Sequence, residues 1–282
     1  MSPAVRTQGG RSSARESNLT NPELKGLDSA LGGALGAVLL TLADSELIIG
    51  HRHSEWTGFA PSAEEDVAFS SIAQDEMGHA HLYYALIAGA EEESVDRLAL
   101  NRAPGSFRHL PICHAGNGDW FFSIARHFYW EIFEQVVLRA LRNSSLPLLP
   151  NAAQRLLNEE SYHRDHAEEW ITLLASSKTT RTKLSTGLER VISLSGNPVD
   201  ALSGWPALAT AGATASVADL RSEFVIRYRS GLVRAGVDDG TIDRVRLALG
   251  AGPATKPRGI PGWSAVHRDL TALRRAHPGA SW

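Results

Sequence analysis

The sequence predicts an all-α protein: a four-helix bundle followed by additional C-terminal helices. Three observations carry the prediction. Apolar residues recur three and four positions apart through most of the chain, the spacing of one helix face. Strand signals are almost absent, with little strict alternation, few β-branched runs and no Asn-Gly hairpin turn. Cap and stop residues divide the chain into long segments with short turns inside each of two pairs, which is the pattern of a bundle.

Residues 1–22 are polar, with no apolar core of signal-peptide type, and read as a flexible tail. Residues 23–282 read as one helical domain, with the bundle over about 23–177 and the extension over about 178–282. The first helix runs from Leu24 to Trp56 and stops at "TGFAP", where Gly58 and Pro61 end it. The second opens at "SAEE", in which Ser62 and Glu65 make a capping box, and continues to Ala88 before Gly89. A loop rich in Pro and Gly follows, and Asp119 then caps a third helix carrying "WFFSIARHFYWEIFEQVVLRALR". The turn from Ser144 to Pro147 closes it, and the fourth helix spans Pro150 to Ala175.

The extension has a helix from Thr182 to Leu194 and then a long Gly, Ala and Pro-rich loop. Trp205 and Leu208 in that loop call for burial. Ser216 caps a helix to Ala235, Asp238 begins another to Leu249, and a last one spans Trp263 to Ala276.

The formal net charge of −3 gives no general attraction to nucleic acid or to a membrane surface, and no basic patch stands out. The longest apolar run, Ala30 to Gly50, carries Asp44 and Glu46 near its centre, so it reads as a buried helix rather than a membrane span. A single cysteine, Cys113, excludes an internal disulfide, cannot hold an iron–sulfur cluster, and fits the reducing cytoplasm.

Two segments share one pattern. "QDEMGHAH" (Gln74 to His81) and "NEESYHRDH" (Asn158 to His166) each carry an acid, a Glu, two residues and a His. Residues three apart share a helix face, so Glu76 projects with His79 and Glu160 with His163. A carboxylate-bridged di-metal site takes such a Glu-x-x-His pair from each of two helices and one Glu from each of the other two.

Geometry locates those other acids. In an antiparallel pair, positions equidistant from the turn are level: Glu76 is 76 − 61 = 15 residues after Pro61, and Glu46 is 61 − 46 = 15 before it. The same reflection of Glu160 lands on the segment holding Glu131 and Glu134, and spacing does not choose between them. A buried carboxylate among such apolar neighbours costs several kcal/mol unless a cation meets it. Asp75 and Glu159, each just before its motif, suit the task of accepting the free ring N–H of a ligating His. His51, His53, His81, His127 and His166 read as surface or packing residues, and Tyr162 as packing. Against all this stands a plainer account, in which the acids pair with Arg or His and the two motifs are solvated helix faces.

At these residues the chain resembles the phenylacetyl-CoA epoxidase family, the large subunits of bacterial phenylacetate-CoA oxygenase. "SEWTGFAP", "EEDVAFSSIAQDEMGHA" and the ending at Pro278, Gly279 and Trp282 are similar to the structural subunit. "ADSELIIG", "QDEMGH" and "NEESYH" are similar to the catalytic one. The resemblance implies a ferritin-like fold and two iron ions, with manganese as the alternative, held by Glu46, Glu76, His79, Glu131, Glu160 and His163. Glu134 would then stand behind the ligands.

It also implies epoxidation or hydroxylation of an aromatic acyl-CoA such as phenylacetyl-CoA, using O2 and electrons from an external NADPH-dependent flavin/iron–sulfur reductase. The chain would work with a related large subunit or as a homodimer. Lys256 and Arg258 in "GPATKPRGIPGW" would meet the CoA phosphates. The rival readings are a structural or regulatory subunit of such a complex, and a di-iron oxidase of another small molecule or a ferroxidase.

Overall fold

A computed structural model of the chain describes residues 21–89, 92–250 and 260–278; among them there are helices and no strand. A single turn, α1 (Pro22–Lys25), precedes α2 (Ser29–Ser54), where the periodicity reads one helix. The break has a local cause. The Asp28 carboxylate accepts hydrogen bonds from the Ala30 and Leu31 amides, at 2.8 and 3.4 Å, and starts the helix afresh. α3 (Ala63–Ala88) begins at Ser62, whose hydroxyl accepts from the Glu65 amide at 3.4 Å, and ends at Gly89 with φ 78°.

The segment expected to be loop contains a further helix, α4 (Glu92–Leu100), and 3-10 turns at Pro104–Ser106 and Pro111–His114. α4 buries Val95 and Leu98 and packs on α3. α5 (Trp120–Arg142) is capped by Asp119, which accepts from the Phe122 amide at 2.9 Å. From Phe122 to Leu138 every residue of α5 is buried, as befits a helix enclosed on all sides. α6 (Leu148–Ala175) returns along it.

The bundle is therefore two helical hairpins, α2 with α3 and α5 with α6, with α3 also meeting α6. α2 is long and apolar enough to cross a membrane, yet 78% of its most apolar window is buried inside the protein. Its Asp44 is fully buried and faces away from the other acids. The carboxylate accepts from Tyr84 Oη and the Arg108 amide, each at 2.7 Å, and pairs with the Arg102 guanidinium, so α2 is tied to the segment after α4.

In the extension, α7 (Lys178–Ser195) and α9 (Val217–Arg234) lie on α5, and α10 (Asp239–Gly250) spans α7 and α9. Between α7 and α9 the expected loop coils into a 3-10 turn, Pro198–Ala201, and a short helix, α8 (Trp205–Thr210). Trp205 and Leu208 of α8 are fully buried, as their place in the sequence requires. The last predicted helix is two, α11 (Trp263–Leu270) and α12 (Ala272–Ala276). Thr271 lies between them, its hydroxyl and its amide both donating to the His267 carbonyl, at 2.6 and 3.1 Å. The architecture is an all-α, ferritin-like bundle with a helical extension.

Candidate metal centre

The two hairpins turn their acids toward one another. α2 supplies Glu46, α3 Glu76 and His79, α5 Glu131 and Glu134, and α6 Glu160 and His163, each at most 1% exposed. Glu160 stands between the two motif histidines: Oε1 is 2.9 Å from His79 Nδ1, and Oε2 is 3.3 Å from His163 Nδ1.

The outward ring nitrogens are held crosswise. His79 Nε2 on α3 is 3.1 Å from Glu159 Oε2 on α6, and His163 Nε2 on α6 is 3.3 Å from Asp75 Oδ2 on α3. A ring that donates its Nε2–H outward presents the Nδ1 lone pair inward, so the acid before each motif fixes the tautomer of the other motif's histidine.

Both α5 acids enter the group. Single donor atoms of Glu46, His79 and Glu134 lie within 4.8 Å of one another, and so do those of Glu76, Glu131 and His163, and of Glu131, Glu134 and Glu160. Glu134, expected behind the ligands, thus faces Glu46 and His79, because positions 131 and 134 are one helical turn apart on the same face. Glu76 sits with Glu131 and His163.

The electrostatics call for cations. All ten side-chain oxygens of these five glutamates are buried without a hydrogen-bond partner, and the short contacts from His79 Nδ1 and His163 Nδ1 to Glu160 are not aligned as hydrogen bonds. Donors about 2.1 Å from one ion at roughly right angles are about 3 Å apart, so such spacing and misalignment are what shared metal ligands show. Arg126 is the one fully buried Arg or Lys among the described residues. Its guanidinium is engaged by the Ala115 carbonyl at 2.7 Å and Asn117 Oδ1 at 2.6 Å instead.

Burial above all pushes Glu46, Glu76 and Glu131 well above the usual carboxylate range, and Glu134 up to about 7. Burial also acts upward on Glu160, but the His163 and His79 rings more than offset it and hold it well below. Burial acts downward on His163, and Glu160 overcomes it, to about 10. The residues present fit a pair of hard divalent ions: carboxylates predominate, with one imidazole for each ion, a set that favours iron or manganese over zinc.

Residues 29–282 match the family described as phenylacetic acid catabolic protein. The chain belongs to this family. It is also 25% identical over 257 residues to a subunit of the 1,2-phenylacetyl-CoA epoxidase of Escherichia coli (strain K12), a match covering 88% of this chain and 99% of that protein. For a member of the phenylacetic acid catabolic family, then, the match takes in the bundle and the extension alike.

This family member carries more buried polar groups at the centre than the sequence suggests. His53 and His127 are fully buried, and His166 is nearly so. Burial holds His53 and His127 well below the usual imidazole range. Tyr83 buries its hydroxyl without a partner, and burial together with nearby Glu134 raises it further above its ordinary range. Spacing does carry a signal for the histidines: His53 follows Glu46 by seven, His127 precedes Glu131 by four and His166 follows His163 by three, all same-face intervals. Tyr162, by contrast, is half exposed. Lys256 and Arg258 lie outside the described residues.

Proposed function

We propose that the chain is the metal-carrying subunit of an oxygenase complex that epoxidises or hydroxylates the ring of an aromatic acyl-CoA, phenylacetyl-CoA being the first candidate. The observation that carries this reading is the enclosure of five glutamates and two motif histidines with every carboxylate oxygen unpartnered. The substrate class comes from the relative's name and from the family.

Glu46, Glu134 and His79 would hold one iron, and Glu76, Glu131 and His163 the other, with Glu160 spanning both. Two irons bound there supply the electrons and open positions that dioxygen activation needs. Asp75 and Glu159 keep each ring's lone pair turned inward. Phe69 is in ring contact with Trp120 at 4.9 Å and with His53 at 5.2 Å, so aromatic rings flank one side of the centre. A chain with one cysteine holds no iron–sulfur cluster of its own, so its electrons would come from a partner, for which the family resemblance suggests an NADPH-dependent flavin/iron–sulfur reductase in the cytoplasm. The relative is itself named as one part of a multi-chain enzyme, which supports a related large subunit as partner.

The test is anaerobic Fe(II) loading followed by Mössbauer spectra before and after oxygen, on the wild type and a Glu46→Ala/Glu160→Ala variant. An antiferromagnetically coupled diferric product, absent from the variant, is expected. The loaded protein is then combined with a competent reductase and phenylacetyl-CoA. A coupled pair without oxygenated product would leave the second reading, a structural partner that keeps its metals, which the similarity of "SEWTGFAP" and its flanks to the structural subunit favours. Absence of a coupled pair would remove the oxygenase reading.

A further inference from the structure

One turn or two along the bundle from the glutamates, the buried histidines form a group of their own. One ring nitrogen from each of His53 and His127 and one carboxylate oxygen of Glu76 lie within 4.8 Å of one another, and all three side chains are fully buried. We propose that His53, His127 and Glu76 form a third transition-metal position, sharing Glu76 with the pair. The proposal is independent of the reaction assigned above and concerns only what this donor set binds.

Three observations lead to it. First, neither ring nitrogen of His53 has a hydrogen-bond partner; Nδ1 lies 3.2 Å from Glu76 Oε1 but is not aligned to donate to it. A ring kept only for packing would bury an unsatisfied polar group, a cost that an apolar side chain would avoid.

Second, the tautomer of His127 is set from outside. Glu65 Oε2 is 2.9 Å from His166 Nε2, so that nitrogen donates to the carboxylate. With the His166 ring neutral, its Nδ1 is an acceptor 3.4 Å from His127 Nε2, which donates to it. The remaining nitrogen, His127 Nδ1, is left as a lone pair, 3.3 Å from Glu131 Oε1. In the metal-free protein a protonated Glu131 meets that lone pair, and a bound cation would take the place of the proton between the two. Metal-binding rings are commonly oriented by an acceptor on their far nitrogen, and here His166, itself held by Glu65, is that acceptor.

Third, two imidazoles and one carboxylate make the facial donor set of non-haem Fe(II), with further positions open. The Phe69 ring packs on this group, 5.2 Å from His53, 5.6 Å from His127 and 5.5 Å from His166 between centroids, so it is walled on that side by an aromatic surface.

The experiment uses full-length apoprotein titrated anaerobically with Co(II), with bound metal counted after desalting and located by anomalous diffraction at the cobalt edge. The variants are His53→Leu and, as a check that does not touch the buried group directly, Glu65→Ala. Three ions per wild-type chain are expected, with an anomalous peak between His53 and His127. His53→Leu should hold two and lose that peak. Glu65→Ala should weaken the third ion about 10- to 100-fold and leave the first two unchanged.

Two ions in wild type and His53→Leu alike would overturn the third position and leave the pair standing. Three ions in both would overturn it by putting the third elsewhere. No bound ion in the wild type would overturn both the third position and the pair.

Discussion

Glu159 and Asp75 are 40% and 53% exposed, yet each reaches a histidine ring that is buried, so their removal disturbs orientation more than packing. Because the support is crossed, Glu159→Ala should loosen the ion held by His79, and Asp75→Ala the ion held by His163. Each should weaken metal affinity about 10- to 100-fold in a competitive chelator titration, with little change in the melting temperature of the metal-free protein. Unchanged affinity in both would mean that the rings are positioned by packing alone. At this scale the sequence was informative where residue types repeat at a fixed interval. The two Glu-x-x-His motifs and their preceding acids were legible because a pair of types three apart names a helix face. His53, His127 and His166 were not, because a lone histidine in an apolar helix gives no sign of what its ring nitrogens meet. Glu131 and Glu134 stayed undecided because their positions share a face, and the structure turns both inward.

Helices announce themselves by length and by caps. Each of α2, α3, α5, α7 and α9 has a polar side chain accepting from its first-turn amides, and the bundle helices run for at least 23 residues, long enough for periodicity to show. α4 has nine residues and buries only Val95 and Leu98 among its hydrophobic ones, too short a stripe to separate from a loop. The break at Thr271, where hydroxyl and amide share the His267 carbonyl, leaves no mark that a spacing rule detects. How α8 meets α2 is equally invisible in sequence: a Cβ at Gly204 would stand 2.1 Å from the Ala34 carbonyl oxygen in the α2 backbone. A helix carbonyl cannot retreat as a flexible side chain can. Gly204→Ala should therefore destabilise the protein by about 1–3 kcal/mol in urea unfolding. Glu46 lies more than three turns further along α2, so the number of ions bound per folded chain should not change. Wild-type stability in the variant would show that α8 is free to lift from α2.

Across the whole molecule, the centre makes stability depend on pH in a sense opposite to that of most proteins. A carboxylate whose folded pKa is raised takes up a proton on folding. Its stabilising effect is complete below the ordinary value of 4.5 and is lost as pH climbs through the folded value, about 7 for Glu134 and well above the ordinary range for Glu46, Glu76 and Glu131. His79 and His163, also raised, act in the same sense above their ordinary value of 6.5. His53 and His127 are depressed, so their contribution is lost as pH falls below 6.5 and is flat above it. Glu160 is depressed too and matters only in acid. From pH 6.5 to 8, then, the depressed histidines add only the end of their titration, the raised carboxylates dominate in the destabilising direction, and Glu134 alone accounts for about 1 kcal/mol. Metal ions reverse the balance, because they bind the deprotonated ligands and gain affinity as protons leave. Metal-free protein should melt at progressively lower temperature from pH 6.5 to 8, while the gap between metal-loaded and metal-free protein widens, both read by differential scanning calorimetry. A melting temperature for the apoprotein that held steady or rose through this window would mean that its buried carboxylates are ionised without metal, and the charge argument for the centre would fail.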